Sequence, residues 1–217
     1  ALRRQALGVL QIIQKQAWTV KLEELLDTIQ GYYASLDIAT RDMEAITADV
    51  NEFFQLRATY MMKETGIEQD VIDAVLTRGI GNISFTLDKA KVLTAKRQDE
   101  SFKSTQEALV RVLNLAAKGE DLGVDVDLFE NEQEQHLYDT YQNMKDAYLL
   151  DISNNNPADS NYNIATLTDP IHQFFDHTMV MADDLQLKNN RLSLLNQIAN
   201  LIYNYADLTK VQWKQHG

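Results

Sequence analysis

Residues 169–210 read DPIHQFFDHTMVMADDLQLKNNRLSLLNQIANLIYNYADLTK, and this stretch decides the fold class. Its apolar residues recur at helical spacing, first after Pro170 and again from Leu187 to Ile202. Proline suits the first turn of a helix, and the carboxylates of Asp183 and Asp184 can cap the free N–H groups at the start of the next helix. The stretch therefore predicts two helices separated by a tight acidic break, the second one spanning about residues 186–208.

The same periodicity extends toward the N-terminus. Apolar residues at helical spacing predict further helices over residues 2–17, 22–31, 41–63, 71–76, 86–97, 100–117 and 127–150. A polar cluster at 151–157 is typical of a loop, and 159–167 fits either loop or helix. The segment Thr168-Asp169-Pro170 resembles an N-cap followed by proline at the first helical position. Because no alternating apolar pattern of strand length occurs, we predict an all-α fold, a helical bundle.

Composition limits the class of protein. The chain has 217 residues, of which 45% are hydrophobic, so it can form a packed core. It contains no apolar run near the roughly 18 residues of a membrane span. The absence of cysteine excludes disulfides and thiolate metal sites. The first residues show neither an initiator methionine nor a signal peptide, so we expect a piece of a longer, cytoplasmic protein.

The charge is unevenly distributed along the chain. The formal net charge of −12 argues against a nucleic-acid binder, because phosphates attract lysine and arginine. From Arg57 to Lys118, however, ten basic residues face eight acidic ones, whereas the segment between Lys118 and Lys145 holds eight acidic residues and no Lys or Arg. A protein with this distribution can bind RNA with one face while its other faces remain acidic.

Motifs of catalysis and metal binding are missing from the sequence. No glycine-rich phosphate loop, serine-nucleophile elbow or zinc-ligand spacing is present. His172 and His177 are five residues apart, which places them on different sides of a helix. A metal site formed with the nearby Asp176, Asp183 and Asp184 is conceivable, but helix capping explains the last two carboxylates better. We therefore predict no catalytic residue and no metal ligand.

Several strings resemble one family, the β subunit of bacterial tetrameric glycyl-tRNA synthetase. The resemblance is most specific in FFDHTMVMADD (174–184), LKNNRLSLL (187–195) and ADL (206–208), and in the opening ALRRQALGVLQII (1–13). The opening departs from the family at Gln11, where arginine is frequent. DVIDAVL (70–76) and LVRVLNLAAK (109–118) are also similar, although Val110 stands where the family often has lysine.

The resemblance implies a division of labour. In that family the α subunit forms glycyl-adenylate from ATP and charges the tRNA, while the β subunit holds the tRNA. The β subunit ends in a helical domain similar to the anticodon-binding domain of arginyl-tRNA synthetases. On this basis we expect residues 1–40 to end the preceding domain and 41–217 to form the anticodon-binding domain. The implied partners are glycine tRNA and the α subunit, in an α2β2 assembly. The fragment itself would be non-catalytic and without a cofactor.

One predicted helix carries the best candidates for RNA contact. With 100° per residue, Leu109, Val112, Leu113 and Ala116 form an apolar stripe, and Arg111, Asn114 and Lys118 lie opposite it, at about 200°, 140° and 180°. Arg111 and Lys118 could hold phosphates while Asn114 reads a base edge. From the periodicity alone an ordinary solvated face is the better explanation, and the match to the family's K-R-V-x-N pattern makes RNA binding an equal alternative.

Further candidates lie earlier in the chain. Arg57 and Tyr60 belong to an aromatic-rich stretch, and unpaired bases stack on aromatic rings or on a guanidinium. The neighbouring Phe53 and Phe54 are better explained as core residues. Arg78 follows a short helix beside a glycine turn, which is an exposed place for a contact with the RNA backbone.

Four residues of the C-terminal stretch are predicted to be structural: Asp176, Asp183, Arg191 and Asp207. We expect Arg191 to pair with Asp176 or Asp207 and so to lock the last two helices.

Two rival functions remain open. The same helical faces could serve a purely structural or subunit-docking domain without RNA contact. A His-Asp phosphohydrolase is suggested only by relatives of the β subunit, and the chain lacks a His-Asp dipeptide.

Overall fold

The computed structural model describes residues 2–36 and 42–213, and within them it is built from helices. Contacts between α-carbons divide the chain into two compact units, which we call the first unit (up to Thr94) and the second unit (from Ala95). The described residues form ten α-helices and two short 3-10 helices, the latter at Val126–Leu128 and Leu208–Lys210. The α-helices are α1 (Leu2–Lys15), α2 (Leu22–Ser35), α3 (Met43–Glu64), α4 (Gln69–Leu76), α5 (Ile83–Lys96), α6 (Glu100–Ala116), α7 (Glu132–Ser153), α8 (Pro157–Ala165), α9 (Thr168–His177) and α10 (Leu185–Tyr203). The predicted all-α fold is confirmed.

The first unit is organised around α3, which packs against α1, α2 and α4. The connection between α1 and α2 is fixed to the start of α5. There the Leu22 N–H donates to the Gly81 carbonyl and the Ile83 N–H donates to the Val20 carbonyl. The buried Ser84 hydroxyl lies 3.0 Å from two carbonyl oxygens, that of Ile13 in the last turn of α1 and that of Trp18 in the connection. These contacts satisfy backbone groups that would otherwise be buried without partners.

The second unit has α6 and α10 at its centre. These two helices pack on each other, α9 packs on α6, and α7 packs on both α8 and α9. The apolar stripe predicted for α6 is buried, with Leu109 and Val112 fully inaccessible to solvent. The stripe therefore faces the core, and the opposite side of α6 is left at the surface.

Several helix boundaries differ from the sequence prediction. The final helix, expected over about residues 186–208, ends at Tyr203, and the helix expected to begin at residue 86 begins at Ile83. The second helix was expected to end near Gly31 but continues to Ser35, because the residues after this glycine keep the helical hydrogen-bond ladder. The helix predicted over 127–150 begins only at Glu132, since the Asn131 side chain caps it and residues before it form a 3-10 turn. The ambiguous segment 159–167 is mostly helical and belongs to α8. The predicted beginning of α3 at Arg41 lies outside the described residues.

The predicted cap of α9 is wrong. Leu167, and not Thr168, is the residue that precedes the helix, and its backbone is already close to helical with φ −77° and ψ −11°. The Thr168 hydroxyl donates instead to the Ala165 carbonyl and lies 2.8 Å from the Thr105 hydroxyl. The turn between α8 and α9 is thus nearly continuous helix, which leaves no extended residue to act as a side-chain cap.

The predicted division into residues 1–40 and 41–217 stays a prediction. Its boundary falls on residues 37–41, which are outside the described part of the chain. Among the helices that are described, none is both long and apolar enough to cross a membrane.

Candidate RNA-binding surface

The outward side of α6 presents a basic and amide-bearing surface. Arg111, Asn114 and Lys118 are all exposed, as the helical spacing predicts. The Asp99 side chain caps the start of α6 by accepting from the Ser101 N–H at 2.9 Å. Lys118 follows the end of the helix, where its N–H donates to the Leu115 carbonyl at 3.0 Å. The structure therefore brings these three predicted residues together on one face. We call this set the α6 surface.

Arg111 is held by an aromatic ring that the sequence did not single out. Its guanidinium carbon lies 4.2 Å from the centre of the Phe175 ring, and Phe175 is a buried residue of α9. Such cation–π contacts orient a planar guanidinium and leave its N–H edges available for other partners. Arg111 is thus a positioned cation at an exposed place, a suitable arrangement for binding a phosphate or a base edge.

The end of α6 is fixed by close contact with α10. A Cβ added at Gly119 would come within 2.7 Å of the Leu192 Cδ1 atom. The Asn196 amide donates to the Ala116 carbonyl at 3.0 Å, which satisfies one of the last carbonyls of α6. Because α10 holds the residues around Lys118 in this way, the α6 surface is carried by rigid backbone.

Arg57 and Tyr60 share a helix in the first unit. The Arg57 side chain is half-buried, and its guanidinium carbon lies 4.7 Å from the centre of the Phe53 ring. Its Nε atom is buried and has no hydrogen-bond partner among the described residues. Tyr60 is 51% exposed. Phe53 and Phe54, expected in the core, are only half-buried. This stretch of α3 therefore offers an aromatic surface with one partly shielded cation.

Arg78 is exposed after α4, beside Gly79, whose φ of +86° makes the turn. It also interacts with other groups of the protein. Since Arg57, Tyr60 and Arg78 belong to the first unit and the α6 surface belongs to the second, the six RNA-binding candidates fall into two separate sets.

Arg191 is buried and forms ion pairs with two glutamates. Its Nη2 atom lies 2.7 Å from Glu130 Oε2 and 3.1 Å from Glu134 Oε1, and its Nε donates to Glu134 at 3.1 Å. The predicted pairing with Asp176 or Asp207 is therefore wrong. Burial disfavours the charged guanidinium, but the bonds to Glu134 and Glu130 outweigh this effect and raise the pKa of Arg191. A paired arginine of this kind is not available for RNA.

The Arg191 network also holds the loop before α10. The third guanidinium nitrogen donates to the Met179 carbonyl at 3.2 Å. Asn131, the residue that caps α7, lies 3.2 Å from the Thr178 hydroxyl. This polar network thus connects the start of α7 both to residues 178–179 and to α10.

The three predicted structural aspartates behave differently from one another. Asp207 accepts from the Thr209 N–H at 3.1 Å and begins the last 3-10 helix. Asp183 and Asp176 are exposed. The cap of α10 is instead Asp184, which accepts from the N–H groups of Gln186 and Leu187 at 2.8 and 3.1 Å. Of the two carboxylates predicted to cap the final helix, Asp184 is therefore the one that does so.

The two histidines of α9 are engaged with the protein. The Nε2 atom of His172 lies 3.1 Å from the Ser104 hydroxyl, and Nδ1 of His177 lies 2.9 Å from the Gln173 carbonyl. Within residues 2–36 and 42–213, no group of three or more His, Asp or Glu side chains is placed to hold a metal ion.

Two family models match the chain. Residues 1–77 match the model described as glycyl-tRNA synthetase beta subunit, and residues 105–216 match the DALR anticodon binding domain. The second match contains the whole α6 surface, Phe175 and the Arg191 network.

Curated relatives agree over nearly the full chain. The chain is 44% identical over 215 residues to a protein named glycine–tRNA ligase beta subunit from Oceanobacillus iheyensis, covering 99% of this chain and 31% of the relative. Proteins of the same name from Halalkalibacterium halodurans and Bacillus subtilis are 34% and 36% identical, over 99% and 95% of this chain. The chain spans 31% and 29% of the length of these two relatives.

Proposed function

Because the chain belongs to the glycyl-tRNA synthetase β-subunit family and carries its DALR anticodon-binding domain, we propose that it recognises the anticodon region of glycine tRNA. In this proposal the chain acts in the cytoplasm as the tRNA-holding part of a synthetase. The α subunit, in an α2β2 assembly, uses ATP to charge the tRNA. The 217 residues contribute binding and no bond-making step.

One observation supports the proposal most strongly: the α6 surface. Arg111, Asn114 and Lys118 lie together on a capped, rigid helix, and Arg111 is oriented by Phe175. Two cations beside an amide match the chemistry of a single-stranded RNA loop, in which phosphates need positive charge and exposed base edges need hydrogen-bonding groups.

The test is titration of the chain with glycine tRNA and with a version carrying substituted anticodon bases. We expect the wild-type chain to prefer the natural anticodon. Arg111→Glu should weaken binding of the natural tRNA by at least about tenfold, because it removes a phosphate contact and adds repulsion. Arg111→Lys keeps the charge but loses the planar contact with Phe175. Its affinity for the natural tRNA should therefore lie between that of the wild-type chain and that of Arg111→Glu.

Lys145→Glu is the matched control, because it makes the same change of charge on α7, in the same unit. It measures how much any added negative charge weakens binding at long range. Equal losses for Arg111→Glu and Lys145→Glu, or equal binding of the two tRNAs by the wild-type chain, would contradict the proposed function.

A second function, docking onto the α subunit, is favoured for the first unit by one observation. The end of α2 exposes Ile29, Tyr32, Tyr33 and Leu36, which fall within an arc of about 100° around the helix axis. Clustered exposed apolar residues often mark protein–protein interfaces. Tyr32→Ser with Tyr33→Ser should then weaken binding to the purified α subunit and leave tRNA binding unchanged. The reverse result would assign this stripe to RNA.

A further inference from the structure

A cleft of about 130 Å³ opens in the second unit between the first turns of α6 and one face of α8. On α6 it is lined by Ser101, Phe102 and Thr105, which lie on a different side of the helix from Arg111. On α8 the wall contains Ala158 and Ala165, whose short side chains leave the space open. The volume would accommodate about four water molecules or one small planar ring.

The cleft contains a buried amide with unused hydrogen-bonding capacity. Asn161 lines it and is only 3% exposed. The Asn161 side chain interacts with the Tyr205 hydroxyl, yet its amide nitrogen makes no hydrogen bond of normal geometry with the described residues. Buried donors in folded proteins nearly always have an acceptor. A ligand carbonyl or ring nitrogen in the cleft would supply one.

Aromatic rings border the same space. Phe102 is buried at the cleft, whereas Tyr162 is 74% exposed beside it. Covering an aromatic side chain that is this exposed to water with a flat ring is energetically favourable. Together with the Asn161 amide, these rings match the chemistry of a nucleobase, which combines a flat face with hydrogen-bonding edges.

A cation stands beside the cleft. Lys96 lines it, and its ammonium group lies 3.9 Å from Asp99, a loose pair in which both side chains are 44% exposed. The Asp99 carboxylate is already used by Ser101, whose N–H and hydroxyl donate to it at 2.9 and 2.7 Å. Lys96 can therefore turn toward a phosphate without uncapping α6.

We propose that the cleft between α6 and α8 binds one unpaired nucleotide of the RNA loop. The base lies against Phe102 and Tyr162, Asn161 donates to its edge, and Lys96 pairs with its phosphate. This inference rests on the proposed function and extends it, because it adds a base pocket on a side of α6 that the α6 surface does not use.

Affinity measurements with the 217-residue chain and glycine tRNA test the pocket. Tyr162→Ala should weaken binding on the order of tenfold, the loss expected for one stacked base. Lys96→Gln should reduce the slope of log affinity against log salt by about 0.7, as for one phosphate on a single strand. The matched control is Trp18→Ala, since Trp18 is an aromatic residue that is 53% exposed in the first unit, and this variant should bind as the wild-type chain does.

A set of glycine tRNAs, each lacking one base of the anticodon loop, identifies the bound nucleotide. For one position of the loop, Tyr162→Ala should cause no further loss, because the base that it stacks is already absent. Additive losses at every position, or wild-type affinity of Tyr162→Ala for the intact tRNA, would overturn the pocket. Thermal unfolding of each variant shows that the fold is retained, as expected for substitution of an exposed ring.

The result for Arg111→Glu separates the two proposals. Weak binding by Arg111→Glu with normal binding by Tyr162→Ala overturns the pocket and leaves the proposed function in place. The opposite pattern overturns the α6 surface and supports the pocket. No binding by the wild-type chain overturns both.

Discussion

Arg191 shows how a single side chain can join distant parts of a domain. It is 4% exposed and contacts Glu130, Glu134 and the Met179 carbonyl. Glu134 is 1% exposed, so its charge has almost no access to water once Arg191 is removed. The stabilising effect of this pair therefore depends on both partners being present, which is the usual behaviour of buried ion pairs.

We predict that Arg191→Met lowers the free energy of unfolding by about 3 kcal/mol or more, because it leaves Glu134 buried and unpaired. Urea denaturation measures the change. Glu134→Gln in the same chain should recover part of the loss, since it removes the stranded charge. Arg111→Met is the control at an exposed arginine and should change stability little. Equal stabilities of the Arg191 and Arg111 variants would refute the role given to the network.

Lys89 is a buried lysine, although lysine side chains are almost never fully buried unless they are paired. It is 6% exposed on α5, and burial lowers its pKa from 10.5 to about 7. Its ammonium group lies 5.2 Å from the centre of the Phe85 ring. The unfolded chain therefore binds more protons than the folded chain between about pH 7 and pH 10.5, so stability rises with pH across this window.

Lys89→Met should raise the free energy of unfolding below pH 7 and remove the rise in stability between pH 7 and 10. The reason is that a neutral side chain avoids the cost of burying a charge, about 1.4 kcal/mol for each unit by which the pKa is lowered. Urea denaturation at several pH values measures both effects. Lys91→Met, an exposed neighbour on α5, provides the comparison. An unchanged pH profile in Lys89→Met would show that Lys89 is solvated.

Single residues were the least predictable level of this molecule. The sequence indicated that Arg191 is structural, but its partners are 57 and 61 positions away, and no local pattern reports such a distance. Phe175 was identified only as part of a family string, although it orients Arg111. Long-range pairing depends on how helices pack, which helical periodicity does not specify. The predicted RNA contacts of Arg57, Tyr60 and Arg78 stay predictions.

At the scale of elements, α6 combines two functions on opposite sides. Its apolar stripe packs on α10, while its polar side carries the α6 surface. The two sides are coupled at the end of the helix, because Gly119 and Leu192 are in contact immediately after Lys118. A change in packing at this point therefore shifts the polar side as well.

Gly119→Ala should destabilise the chain by about 1–3 kcal/mol, the usual cost of overpacking. The new Cβ would lie 2.7 Å from Leu192 Cδ1 and 3.0 Å from Leu192 Cβ. Thermal unfolding measures the loss, and Leu192→Val should relieve part of it. Gly8→Ala is the control, because a Cβ at this position of α1 meets nothing within 4 Å. It should stabilise by about 0.5–1 kcal/mol. A similar gain in Gly119→Ala would contradict the close contact.

The elements themselves were largely predictable, because helical periodicity is strong in this chain. The apolar stripe of α6 and the beginning of the final helix appear where the spacing of leucine and isoleucine places them, although the final helix ends at Tyr203 and not near residue 208. The errors occurred where a single residue that usually ends or caps a helix lies within a longer stretch that favours helix. Gly31 does not stop α2, and Thr168 does not cap α9 because α8 runs almost directly into it.

At the scale of the whole molecule, electrostatics limits how RNA can bind. The second unit has ten Lys and Arg against nineteen Asp and Glu. Of these cations, Arg191 is neutralised by its two glutamates and Arg97 is fully buried. Attraction for RNA must therefore be local, and a few well-placed contacts have to act against a repulsive background.

We expect the affinity for glycine tRNA to fall with salt, with a log–log slope of about −0.7 for each phosphate contacted in a single strand. Arg111→Gln and Lys118→Gln should each reduce the magnitude of this slope by about 0.7, the contribution of one phosphate contact. The double variant should show only a weak dependence of affinity on salt. Binding measured between low and physiological salt provides the slopes. A flat response in the wild-type chain would mean that the α6 surface touches no phosphate.

The segment that follows α10 is attached to α6. The Gln106 amide donates to the Val211 carbonyl at 2.9 Å, and both residues are buried. This hydrogen bond attaches residues 208–211 to the middle of α6. Trimming by a carboxypeptidase that removes Val211 would strip a partner from a buried amide in the very helix that carries Arg111. Faster amide hydrogen exchange along α6 would then report the loss of a residue that lies 105 positions later in the chain. Purification tags and fusion partners should therefore be joined after Val211.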